Sequence, residues 1–317
     1  MADLKKGDMI DARSLAGGCM VDLGDKNSKL VVLNADLSRI TFANEFIKKY
    51  PERSFNVGIA EQNLISVAAG LAHEGFMPVA YTMAPFLTMR ACEQIRTDVC
   101  YGQLPVRMIG SGSGYSMGIS GATHSALEDV AITTSMAGMT VLEPGDAKQV
   151  VKMLEASMDY AGPIYIRVSR EPMRVIYDDN YDYQIGKAIT AREGDDAAFI
   201  VSGNVVASAL DAAVKLKADC GVNVRVVDMH TIKPLDVDAV LSAAKTGNVI
   251  AAQDHNIIGG LGYHVGAALA QAGVACNFKI LGCPDKFVPL ATPQYLYKIN
   301  EYDTDGLYKN MKEMLGK

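Results

Sequence analysis

The sequence contains no tryptophan, and its aromatic residues amount to only 7% of the chain. A core with so few large rings is filled mainly by aliphatic side chains. The 29 glycines and many alanines let packed layers approach closely, which suits stacked α/β layers better than an all-β sandwich. Basic runs are also missing. No Lys/Arg block exceeds a pair and the net charge is −6, which argues against binding nucleic acid or an anionic membrane. No apolar stretch reaches the ~20 residues of a membrane span. No apolar core follows Lys5 and Lys6, as a secretory leader requires. The six cysteines (Cys19, Cys92, Cys100, Cys220, Cys276 and Cys283) never fall at CxxC or zinc-ligand spacing. They are expected to be free thiols in a reducing cytoplasm, with no metal site among them.

Two nucleotide loops are absent as well. The glycines near Gly112 are not followed by GK[ST], so they make no P-loop. The run from Gly260 to Gly266 spaces its glycines GxGxxxG, not GxGxxG, and reads as a tight strand-to-helix turn.

What is present is alternation. Apolar runs at 29–34, 77–81, 106–109, 139–142 and 163–168 predict strands. Helix-spaced stretches at 60–73, 87–100, 125–136 and 146–161 fall between them. Residues 171–186 break the pattern and, being rich in Asp, Tyr and Asn, read as a linker. The alternation resumes with strands at 197–201, 223–228, 248–252 and 278–282, and helices at 205–217, 237–245 and 262–272. At 317 residues, the chain is long enough for two domains. The expected fold is α/β in two domains, 1–185 and 186–317, each a mostly parallel sheet covered by helices.

Three groups of residues invite a chemical reading. Glu61 leads an almost wholly apolar helix. It is either a carboxylate favouring a helix N-terminus or a buried acid with a partner or a function. His124 follows a glycine-rich loop just before a helix, placed either for proton transfer and hydroxyl binding or for capping. Glu128 and Asp129 fall in that helix's first turn, where dipole stabilisation accounts for them. Arg13, Arg90, Arg96 and Arg170 sit at element edges, as phosphate grips or as surface ion pairs. His230, His255 and His264 read as structural.

Six segments in order, SFNVGIAEQNLISVAAGLA, RACEQIR, GATHSALEDVA, IYIRVSRE, VRVVDMHTIKPLD and QDHNIIGGLG, together resemble the transketolase family. The resemblance covers the pyrimidine-binding domain (1–185) and the C-terminal domain (186–317), the C-terminal half of a full-length transketolase. The family's diphosphate motif, GDG with a following Asn, does not occur here. The resemblance therefore implies a split enzyme. An N-terminal transketolase subunit would carry the diphosphate and metal site, with Mg²⁺ or Ca²⁺ held there, in an α2β2 assembly. The implied cofactor is thiamine diphosphate, and the implied reaction is two-carbon ketol transfer between sugar phosphates.

Carried over by position, Glu61 corresponds to the glutamate that bonds the aminopyrimidine N1′. His124 corresponds to a residue lining the substrate channel. Arg13 and Arg170 correspond to arginines that grip a sugar phosphate, and Asp36 to an Asp near the cofactor. The aromatic positions that pack on the aminopyrimidine read Ala84 and Leu87, leaving Phe86 to serve after a one-residue shift. The family's EDGP reads Ile119-Ser120-Gly121-Ala122, so Ser120 stands where an acid would read a sugar hydroxyl. A phosphate-contacting His reads Gly112. The competing expectations are a 2-oxo-acid dehydrogenase E1 β-type subunit, a deoxyxylulose-phosphate-synthase-like subunit, and a catalytically silent scaffold or regulatory subunit.

Overall fold

The computed structural model describes residues 4–317. Among the described residues fourteen strands form three sheets. The first part of the chain supplies β1 (Met9–Ile10), β2 (Leu30–Asn34), β3 (Ser54–Asn56), β4 (Met77–Met83), β5 (Arg107–Ser111), β6 (Thr140–Leu142), β7 (Ile164–Val168) and β8 (Met173–Arg174). The rest supplies β9 (Ile189–Arg192), β10 (Ala197–Val201), β11 (Val224–Asp228), β12 (Thr231–Lys233), β13 (Asn248–Asn256) and β14 (Asn277–Cys283).

The larger sheet has the order β12-β6-β7-β5-β4-β2-β3 and the smaller β14-β13-β10-β11-β9. All pairings are parallel except those of the edge strands β12 and β9, which run antiparallel to their neighbours. The two-domain α/β expectation holds, because each strand of β2, β5 and β7 is buried along its whole length. Strands covered on both faces need continuous apolar runs, and the crossovers supply the covering helices. Along β2, Val31 and Leu33 pack into one core and Leu30 and Val32 into another, on opposite faces of the sheet, as a strand's period of two requires.

Three local expectations are corrected. The helix read at 125–136 is only Asp129–Thr134. Ala126 instead exchanges backbone hydrogen bonds with Gly114, at 3.2 and 3.0 Å, which holds it extended. The helix read at 87–100 is wound wide, as π turns, over Phe86–Arg90 and Ile95–Cys100. The segment read as a linker is a packed strap. β8 pairs antiparallel with β1, and the buried Tyr177 donates its hydroxyl to Asp228 at 2.8 Å. β12 crosses the division expected at residue 185: it follows β11 of the smaller sheet in sequence but forms the edge of the larger one.

Candidate functional site

In a parallel sheet, side chains for binding gather beyond the C-terminal ends of the strands. Asp36 follows β2, Glu61 follows β3, Phe86 follows β4, Ser120 and His124 follow β5, and Arg170 follows β7. One edge of the larger sheet therefore carries all six.

Four side chains touch in sequence. Glu61 begins the helix Glu61–His73 and is 3% exposed. Its Oε2 accepts from Arg90 Nη1 at 3.0 Å. The Arg90 guanidinium lies 4.1 Å from the centre of the Phe86 ring. That ring meets the His124 imidazole edge-on, 5.2 Å between centroids at 72°. The π winding over Phe86–Arg90 spans the two central members of the chain, and such turns recur at functional positions. His124 Nδ1 lies 2.8 Å from Thr123 Oγ1. The Glu61 carboxylate is thus buried against a single cation whose own side chain is half exposed. Among the described residues its other oxygen, Oε1, takes no side-chain hydrogen bond. Oε1 is not among the buried atoms left without a partner, so it stands open to a ligand that brings a donor.

The other candidates are placed differently. Asp36 has φ +61° and is exposed. Asn56 holds it, accepting its backbone N–H at 3.0 Å and donating to its Oδ1 at 3.3 Å. The same Asn56 oxygen accepts Gly58 N–H at 3.0 Å, which links Asp36 to the turn before Glu61. Ser120 is half-buried at the end of the short helical turn Tyr115–Ser120. Arg170 makes no ion pair among the described residues, and its Nη1 lies 3.1 Å from Met117 Sδ. A Cβ at Gly112 would stand 2.9 Å from Met117 Cγ, so Met117 fills that place. The structure does not bring Arg13 into the chain of contacts. Its fork is engaged by Asp11, at 3.0 and 2.6 Å, and by Ile40 O at 3.0 Å. No group of three or more His, Cys, Asp or Glu among the described residues could hold a metal ion. The six cysteines form no disulfide. Among the described residues no helix is long and apolar enough to cross a membrane.

Sequence reading missed a buried ionic cluster behind the site. Arg167 on β7 is fully buried; it donates to Asp129 (2.8 and 3.0 Å) and Glu143 (2.5 Å). Tyr165 donates to Asp129 at 2.7 Å. Asp129 is therefore an ion-pair member and not a helix-dipole residue. Burial pushes its carboxyl up, but the Arg167 cation and the hydrogen bonds from Arg167 and Tyr165 bring it below the ordinary value. Burial drives His255 down to about 4 against the pull of Asp129, so the imidazole is neutral. The available signal was an arginine inside the otherwise uncharged run Ile164–Val168.

Known proteins are similar to this chain over most of its length. The family model "Transketolase, pyrimidine binding domain" matches residues 8–175 and "Transketolase, C-terminal domain" matches 186–305. A 6-deoxy-6-sulfo-D-fructose transketolase subunit of Clostridium sp. (strain MSTE9) is 38% identical, over 87% of this chain and 86% of its own. An apulose-4-phosphate transketolase subunit from Phocaeicola vulgatus is 32% identical, over 98% of this chain and 99% of its own. A solved split-gene transketolase, described as an inactive β4 tetramer, superposes with a TM-score of 0.87. It is 34% identical and the match covers 98% of this chain and 99% of that one.

Proposed function

Because the chain belongs to the transketolase family as a transferase subunit, we propose that it is the pyrimidine-side half of a split ketol-transfer site. A separate subunit would complete that site with the diphosphate and metal anchors. The supporting observation is the buried Glu61 carboxylate with a free oxygen, joined through Arg90 and Phe86 to His124. Residues 1–185 would act as the pyrimidine-binding domain and 186–317 as the C-terminal domain. The assembly would be α2β2, built in the cytoplasm.

The donor set fits thiamine diphosphate. A buried carboxylate beside an aromatic ring suits a flat heteroaromatic base that exchanges a proton at a ring nitrogen. When bound, that cofactor supplies an electron sink for breaking a carbon–carbon bond beside a carbonyl. Glu61 would offer Oε1 to the aminopyrimidine nitrogen and hold or release a proton there. Phe86 would pack against the ring once Arg90 swings off its face. Asp36, tied to Asn56, would brace the turn before Glu61. His124 and Ser120 would meet the sugar hydroxyls. Arg170, without an acidic partner, would take the anionic end of a sugar phosphate, and Arg13 would do so only after leaving Asp11. The two relatives named above carry names denoting sugars with an anionic end, a phosphate or a sulfo group, which supports an anion-ended ketose here.

The test is calorimetric titration of thiamine diphosphate with Mg²⁺ into this chain, alone and mixed with a GDG-bearing N-terminal subunit. Tight binding only in the mixture is expected. Tight binding to this chain alone would overturn the split-site reading.

A further inference from the structure

The connections of the smaller sheet reverse direction between β10 and β13, the place where open α/β sheets hold ligands. Here the crevice is filled from within the chain. The Glu143 carboxylate, which follows β6, accepts from Ser202 Oγ and Gln253 Nε2, each at 2.6 Å. A Cβ at Gly203 would lie 2.4 Å from Glu143 Oε1. No room is left for a ligand, and the strand ends beside it do something else.

β13 ends on Asp254 and Asn256, and these two residues hold both ends of the loop that carries Ser120 and His124. The loop closes on itself through the paired backbone hydrogen bonds of Gly114 and Ala126. At its entry, both Asp254 oxygens accept Tyr115 N–H at 3.0 Å. Tyr302 donates its hydroxyl to Oδ1 at 2.9 Å and Tyr297 to Oδ2 at 3.0 Å. Gly114 has φ +57°, and its missing Cβ would fall 2.1 Å from the carboxylate; glycine alone permits this approach. At the exit, Asn256 N–H donates to Leu127 O at 3.0 Å. Arg167 Nη2 spans the two sides, donating to Ala126 O at 3.1 Å and to Asp254 O at 3.2 Å.

We propose that Asp254 is a positioning residue for the site, clamping the His124 loop from the smaller sheet and so fixing where the imidazole stands. This rests on the reading of His124 as a substrate-contacting group. Asp254 is buried and its oxygens are committed to three donors, so it acts through the loop and not on substrate. Hydrogen bonds to an ionised acceptor hold geometry tightly, and a displacement of ~1 Å at a reacting group costs as much as 10²-fold in rate.

Two measurements test it. The first is amide hydrogen exchange on the full chain. Asp254→Asn should speed exchange across 114–126 about tenfold or more while the sheet strands keep their protection. Tyr302→Phe, which removes one donor and keeps the ring, should act in the same direction to a smaller extent, and it serves if the Asn variant does not fold. The second is kinetics of the complex reconstituted with the diphosphate-binding subunit. Asp254→Asn should raise the ketose KM about tenfold, and adding His124→Ala should then cost little more, because residues acting through one another are non-additive. Unchanged loop exchange in Tyr302→Phe and Asp254→Asn, or fully additive kinetic effects, would overturn the proposal. A parent complex that transfers no ketol unit would sink the functional reading instead, and the exchange measurement would still decide whether Asp254 clamps the loop.

Discussion

Glu61 is the residue whose chemistry is most exposed to test. Glu61→Gln keeps the shape and the contact with Arg90 but removes the exchangeable charge. If the reconstituted complex uses the carboxylate for proton relay, kcat should fall by ~10²–10⁴ with cofactor binding still measurable by titration. An unchanged kcat would give weight to a silent subunit. Arg170→Ala should raise KM for phosphorylated acceptors more than for free sugars; equal weakening of both would remove it from the anion end. Glu61 was legible in the sequence because an acid at the head of an apolar helix stands out. Its pairing with Arg90 was not, because the two lie 29 residues apart and no local pattern links them. The commitment of Arg13 to Asp11 was equally hidden: a two-residue spacing fixes proximity but not the direction of a long side chain.

At the scale of elements, the parallel strands were read from their apolar runs, and the departures all come from contacts made at long range. The helix before Asp129 is shortened by Gly114, at the far end of the same loop. The strap 171–186 is polar in composition yet packs, since Tyr177 finds a buried acceptor in Asp228. The Arg167 cluster gives this level its own prediction. Arg167→Met would leave Asp129 and Glu143 buried without their cation, and breaking such a pair costs about 3–5 kcal/mol. Urea titration should show that loss as a lower midpoint with an unaltered slope. A shift under about 1 kcal/mol would mean that water or a proton compensates the two acids.

For the whole molecule, the buried acids and histidines set opposite pH dependences. Burial raises Asp228 to about 7, against the hydrogen bonds from Tyr177 and Gln149 and helped by Asp146 and Glu143. Burial likewise raises Asp254 to about 6 and lowers His230 and His255 to about 4. A carboxyl whose folded pKa is raised contributes stability that is lost as pH climbs through that value. A buried neutral histidine contributes stability that is lost as pH falls through its unfolded value. Between about pH 4 and 7 the two effects oppose each other. Between pH 6 and 8 the loss from Asp228 and Asp254 and the gain from the two histidines nearly cancel, so the Tm of the parent should stay level. Asp228→Asn removes the largest falling contribution, so its stability should rise by about 1 kcal/mol between pH 6 and 8, and a variant Tm as level as the parent's would refute the assignment.

The edge strand β12 has a practical consequence for dissecting the protein. A chain severed at residue 185 would lose the strand that covers β6, baring a row of backbone donors and acceptors beside a buried apolar face. Open edges of that kind recruit other strands. The N-terminal fragment should self-associate or precipitate, and any attempt to graft this half onto another partner has to carry residues 231–233 with it.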